Sequence, residues 1–190
     1  MKKIVIALLL FSFSINLANS IEGSKIPKSR IKMLNGKYAK LSNYHAEGPA
    51  IINFWTTWWP NCEMQAAYLN QLSEKFSNAG LSVLGVNSNK PKILNQVRPW
   101  INKRKISYDI CVDPSGKLSE KFEISGFPTL FFVDKNGVII DKVTGFVDGW
   151  EDKYLQSITA YFDGEDIDYQ KFEFEKESKS KKDAILQIDF

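Results

Sequence analysis

Apolar residues crowd together between Ala50 and Trp55, in the run Ile51-Ile52-Asn53-Phe54-Trp55. β-Branched and aromatic residues in an unbroken run predict a buried strand. The pattern changes after Thr56-Thr57. From Pro60 to about Ala79, Cys62, Ala66, Leu69, Leu72 and Phe76 recur at helical spacing, and Gly80 supplies the stop. Proline suits the first helical position, where its missing N–H would have had no partner. Trp59 therefore falls at the N-cap, with Cys62 three residues further on.

The flanking pattern supplies the remaining elements. Arg30 to Leu34 and Lys37 to Leu41 read as a hairpin, with Asn35-Gly36 giving the positive φ angles of a tight two-residue turn. Ser42 to Pro49 is a loop, and Leu81 to Val86 a second buried strand. Lys90 to Arg104 spaces Ile93, Leu94, Val97, Trp100 and Ile101 as a helix, kinked or interrupted by Pro99. Tyr108 to Val112 is a short strand that ends in the turn Asp113-Pro114-Ser115-Gly116, before a helix carrying Leu118 and Phe122. Leu130 to Asp134 and Val138 to Thr144 make a second hairpin around Lys135-Asn136-Gly137, and Trp150 to Phe162 a closing helix. Strands alternating with helices and followed by a hairpin predict an α/β sandwich around a mixed sheet.

Both ends depart from this pattern. Residues 1–20 read as a secretory signal: Lys2-Lys3, an apolar stretch from Ile4 to Leu17, and the small-x-small site Ala18-Asn19-Ser20. A retained anchor is the alternative, but the stretch is short against the ~20 residues that span a bilayer. Cleavage predicts an exported protein, periplasmic or extracellular, with no membrane attachment afterwards. Residues 21–163 then form one domain. The acidic stretch 164–190 reads as a flexible extension, whose last residues, Ala184 to Phe190, alternate like a strand.

Charge and composition exclude several classes of function. The formal charge of the whole chain is +3, and Lys2 and Lys3 lie in the signal. The remaining +1, without a basic cluster interleaved with aromatics, argues against nucleic acid. One histidine, His45, and two separated cysteines, Cys62 and Cys111, offer no metal-ligand spacing, and no cofactor motif is present. His45 lies in a loop and reads as a surface residue. The two positions 59 and 62 have the spacing of a Cys-x-x-Cys redox pair, but only Cys62 carries a thiol.

Several dispersed segments make the chain resemble the thioredoxin fold, specifically the exported, TlpA/ResA-like branch of thiol:disulfide oxidoreductases. They are Ile52 to Thr57 with Trp58-x-Pro60-x-Cys62, then Val83-Leu84-Gly85-Val86-Asn87, Asp113-Pro114-Ser115-Gly116, and Gly126-Phe127-Pro128-Thr129-Leu130-Phe131-Phe132-Val133-Asp134. The resemblance covers about Arg30 to Phe162. It implies a three-layer α/β/α sandwich with a central mixed sheet and an N-terminal hairpin. It also implies a cis-proline at Pro128, beside a groove formed with Trp58, Trp59, Phe127 and Thr129. It further puts the strand at Tyr108 to Val112 toward a sheet edge.

Thiol–disulfide exchange needs one thiolate to attack and a second thiol to resolve the mixed disulfide. By the resemblance the attacking cysteine would stand at position 59, where Trp59 has no nucleophile. Cys62 keeps the resolving position as the candidate catalytic residue, in register with the apolar stripe of its helix. It is either an inert core cysteine or a thiol that forms mixed disulfides. Alternation puts Cys111 on the strand face opposite Tyr108, Ile110 and Val112; the resemblance sets that strand more than one strand spacing of ~4.8 Å from the helix start, which disfavours a Cys62–Cys111 bond, since disulfide Cα atoms must lie within ~7 Å. Two readings follow: an oxidoreductase relative with a degenerate Trp-x-x-Cys site and impaired or absent two-cysteine activity, or a non-catalytic module. The partners would be thiol- or disulfide-bearing proteins in the first case and extended polypeptides in the second. Trp55, Trp58, Trp59 and Phe127 together would make the apolar patch that such a module needs.

Overall fold

The computed structural model describes residues 21–175; the predicted signal at 1–20 and the alternating stretch Ala184 to Phe190 lie outside them. Seven strands form one mixed sheet in the order β2-β1-β5-β4-β3-β6-β7. They are β1 (Arg30–Met33), β2 (Tyr38–Lys40), β3 (Ala50–Trp55), β4 (Ser82–Asn87), β5 (Asp109–Val112), β6 (Thr129–Val133) and β7 (Ile139–Thr144). Among the described residues four α-helices accompany them: α1 (Pro60–Phe76), α2 (Val97–Arg104), α3 (Lys117–Lys121) and α4 (Glu151–Gly164). The predicted α/β class and central mixed sheet are what the chain forms.

The middle of the sheet explains the unbroken apolar runs. All six residues of β3 are buried, because β3 runs parallel to β4 on one side and antiparallel to β6 on the other. Successive side chains then enter different cores. Ile51 and Trp55 join Ala66, Leu69, Leu72 and Phe76 of α1 and Tyr154, Ile158 and Phe162 of α4. Ile52 and Phe54 join Leu84, Val86, Phe131, Leu118 and Phe122 in the second core. Within the first, a Cβ on Gly85 would stand 2.9 Å from the Trp55 indole nitrogen and 2.6 Å from Ile110 Cδ1. Glycine there leaves room for the Trp55 ring, which lies 4.4 Å from that of Trp100.

Four expectations need correction. Strand β5 is no edge, since β1 pairs with it and carries β2 beyond. Pro99 does not interrupt a helix: a 3-10 turn, Pro91–Gln96, precedes α2, and Pro99 occupies the first turn of α2, where its missing N–H costs nothing. The Asn35-Gly36 turn needs left-handed backbone only at Gly36, while Asn35 accepts a hydrogen bond from the Lys37 amide.

The fourth correction concerns the domain boundary at 163. The chain from Glu165 to Glu175, expected as the start of the extension, is laid against the first core. Phe174 is buried, edge-to-face on Tyr68 at 5.2 Å, and Phe172 sits 6.0 Å from Phe76. The side chain of Gln71 on α1 exchanges two hydrogen bonds with the backbone of Glu175. Aromatic residues at Tyr169, Phe172 and Phe174 outweigh the acidic composition that suggested disorder, because each buries a large apolar area.

Candidate functional site

Strand β3 delivers the chain to the N-terminus of α1 through the turn Thr56–Trp59. Trp59 is the N-cap, with extended backbone, and makes no capping hydrogen bond through its side chain; Pro60 follows it at the first helical position. The Cys62 amide closes the first bond onto the Trp59 carbonyl at 3.0 Å. Remaining N–H groups at this end keep the positive end of the helix dipole.

A buried polar cluster holds the turn in place. The Asn89 carboxamide accepts from the Thr57 amide at 3.0 Å and donates to the Thr57 hydroxyl at 2.7 Å. Asn87 in turn accepts from the Asn89 amide at 3.1 Å. Across the helix end, Asn61 donates to the Phe146 carbonyl at 3.0 Å. Glu63 in the first turn pairs with Arg104 of α2, whose guanidinium lies 4.3 Å above the Trp100 ring. These contacts clamp the turn from both sides. The sequence reading missed Asn87, Asn89 and Asn61, because only tertiary pairing distinguishes them from ordinary loop residues.

Two indoles cap this scaffold on the outside. Trp58 is 55% exposed and Trp59 43%, and their rings meet edge-to-face at 5.7 Å. Beneath them Cys62 is 1% exposed among Ala66, Leu69 and Tyr108. Burial pushes its thiol up to about 12, partly offset by hydrogen bonding from the backbone and hydroxyl of Thr56. Cys111 is also a buried free thiol, pushed up to about 12 by burial and by the nearby carboxylate of Asp113. It belongs to the second core, so the sheet separates it from Cys62. Neither cysteine forms a disulfide.

The expected groove residues divide. The Phe127–Pro128 peptide bond is cis, and Pro128 is buried with its carbonyl accepting from the Gly145 amide at 2.7 Å. Phe127 is half-buried and packs against both cores, so it does not simply extend the exposed patch. Thr129 is fully buried and faces inward: its hydroxyl donates to the Gly126 carbonyl at 2.8 Å. Trp55 is likewise interior. Trp58 and Trp59 alone form the exposed aromatic pair, because strand alternation turns Trp55 into the core while the turn projects its neighbours outward. His45, expected at the surface, is half-buried, with Nδ1 3.2 Å from the Lys135 carbonyl oxygen. Among the described residues no group of three potential ligands could hold a metal ion.

At this helix N-terminus an exposed indole occupies the N-cap, and a buried thiol lies three residues further on. The AhpC/TSA family matches residues 23–142. The thiol-disulfide oxidoreductase ResA of Geobacillus kaustophilus is 29% identical over 137 residues, covering 72% of this chain and 77% of that protein. ResA of Bacillus cereus is 26% identical over 138 residues, covering 72% and 78%. A Chlorobium tepidum structure described as the thiol:disulfide interchange protein DsbE superposes with a TM-score of 0.68 at 24% identity, covering 73% of this chain and 96% of that one. This chain belongs to the AhpC/TSA family, with the thioredoxin fold and a likeness to its ResA-like thiol:disulfide oxidoreductases.

Proposed function

We propose that this protein is an exported member of that oxidoreductase family which binds extended polypeptide at the Trp58–Trp59 surface, beside Pro128, without a two-cysteine redox cycle. One observation carries the reading. The residue at the helix N-cap is an exposed indole, and the thiol three residues on is buried and pushed up to about 12. An attacking thiolate needs the opposite arrangement, accessible and held below its ordinary pKa by the helix end. Two adjacent half-exposed indoles instead present rigid amphipathic area, which suits binding of apolar peptide side chains. Export rests on residues 1–20, whose charged, apolar and small-residue segments have the order of a secretory signal. No helix among the described residues is long and apolar enough to cross a membrane.

Two measurements test this. In insulin reduction the wild type is expected to be inactive and Trp59→Cys active, since that variant restores a thiol at the N-cap above Cys62. Wild-type turnover abolished by Cys62→Ser would overturn the reading. In calorimetry with a carboxymethylated unfolded polypeptide, Cys62→Ser should bind like wild type and Trp59→Ala more weakly. The reverse pattern would assign the function to the thiol.

A further inference from the structure

A concave surface elsewhere on the molecule shares no residue with the Trp58–Cys62 region. The loop that leaves β5 and the first residues of β1 enclose a cleft of about 350 Å³. Arg30, Lys32, Lys117 and Lys121 line it. Among the described residues none of the four forms an ion pair. The one carboxylate in the lining is already committed. Asp113 accepts from the Leu118 amide at 3.1 Å, and from the amide and hydroxyl of Ser119 at 2.8 Å each.

The backbone also places like charges side by side here. Arg30 stands directly opposite Lys40, just outside the lining, in the β1–β2 ladder, and like charges directly opposite one another are destabilising. The Arg30 guanidinium is held 4.1 Å over the Tyr38 ring, and Lys121 reaches the Ser29 hydroxyl at 3.4 Å. Outside the lining, Lys90 Nζ stands 3.8 Å from where a Cβ on Gly116, between Ser115 and Lys117, would be. Hydroxyls of Ser29, Ser115 and Tyr38 add neutral donors to the same cleft.

We propose that this cleft binds a small, multiply charged anion of the phosphate-ester class. A phosphate group offers about two negative charges and three acceptor oxygens in a compact volume. It therefore satisfies several cations and hydroxyls at once, with arginine providing paired donors. A single carboxylate would leave most of these cations unpaired.

The probe is inorganic pyrophosphate, titrated into the full chain at low salt and followed by backbone amide chemical shifts. Saturable shifts confined to Ser29–Lys32 and Ser115–Lys121 are expected. Affinity should fall about tenfold or more in the Lys117→Gln/Lys121→Gln double variant, where two charge-assisted contacts are lost. It should stay unchanged in Lys103→Gln on α2. Shifts spread over all lysine-bearing surfaces, or equal affinity in the double variant, would overturn the proposal. Sedimentation with phosphatidylglycerol vesicles in the absence of pyrophosphate binding would overturn it too, since the cleft would then read a membrane surface.

Discussion

Cys62 should react with a disulfide reagent far more slowly in the folded protein than after unfolding. Burial lifts its thiol from an ordinary value near 9 to about 12. At pH 7 the thiolate fraction thereby falls from about 10⁻² to about 10⁻⁵. The more basic thiolate is a better nucleophile. With a Brønsted coefficient of ~0.4–0.5 this returns a factor of about 16–32, leaving a net slowing of about 30–60-fold. Restricted access multiplies that figure, because a side chain 1% exposed must wait for a local opening. Ellman's reagent applied to Cys111→Ser isolates Cys62. In the folded protein the logarithm of the rate should climb about one unit per pH unit from pH 7 to 10 without a plateau. In denaturant it should level off near the ordinary thiol pKa of ~8.5. A native-state plateau between pH 8 and 9, or a rate within threefold of the unfolded chain, would refute the reasoning. It would show Cys62 to be an accessible, activated thiol.

The same burial predicts alkaline destabilisation. Folded-state values lie above the unfolded ones for Cys62 and Cys111, so their contribution is complete below about pH 8.5 and is lost as pH rises toward 12. The unfolding free energy from urea titrations should fall between pH 8 and 10.5, by up to about 1.4 kcal/mol per pH unit for each thiol; a constant value would contradict the burial. Phe174→Ala should cost about 2–3 kcal/mol in urea unfolding, since it removes a buried ring packed on Tyr68 and Phe172. A loss under about 0.5 kcal/mol, the range of an ordinary surface change, would mean that the segment after α4 is not part of the fold. Gly85→Ala should cost about 1–3 kcal/mol and alter the near-ultraviolet circular dichroism of the Trp55–Trp100 pair, because the added methyl meets Trp55, Ile110 and Tyr108 at 2.6–3.1 Å.

Much of the fold was legible because its decisive signals are local. The unbroken run at β3, the Pro60 start, the Gly80 stop and the Asp134–Gly137 turn each act through neighbouring residues. Gly80 and Gly137, for instance, both take the left-handed backbone that a helix stop and a tight turn require. The candidate site was legible to the same degree: Trp59 at the N-cap follows from Pro60 at the first helical position, and Cys62 on the inward face from helix periodicity. Less legible was anything set by distant partners. Thr129 looks like a groove residue beside Pro128, yet its hydroxyl is consumed by Gly126 and Thr144.

The sequence by itself therefore determined which elements form, where the helix N-terminus lies and that no nucleophile stands on it. Those facts depend on dihedral preference, side-chain period and residue identity over a few positions. Only the tertiary structure decided which indoles face solvent and that Asn89 clamps the turn beneath them. Packing also decided that an acidic segment folds down through its phenylalanines, and that four cations meet around a single carboxylate. Each of these is a sum over groups far apart in the chain, where burial and hydrogen-bond geometry are settled only once the sheet brings them together.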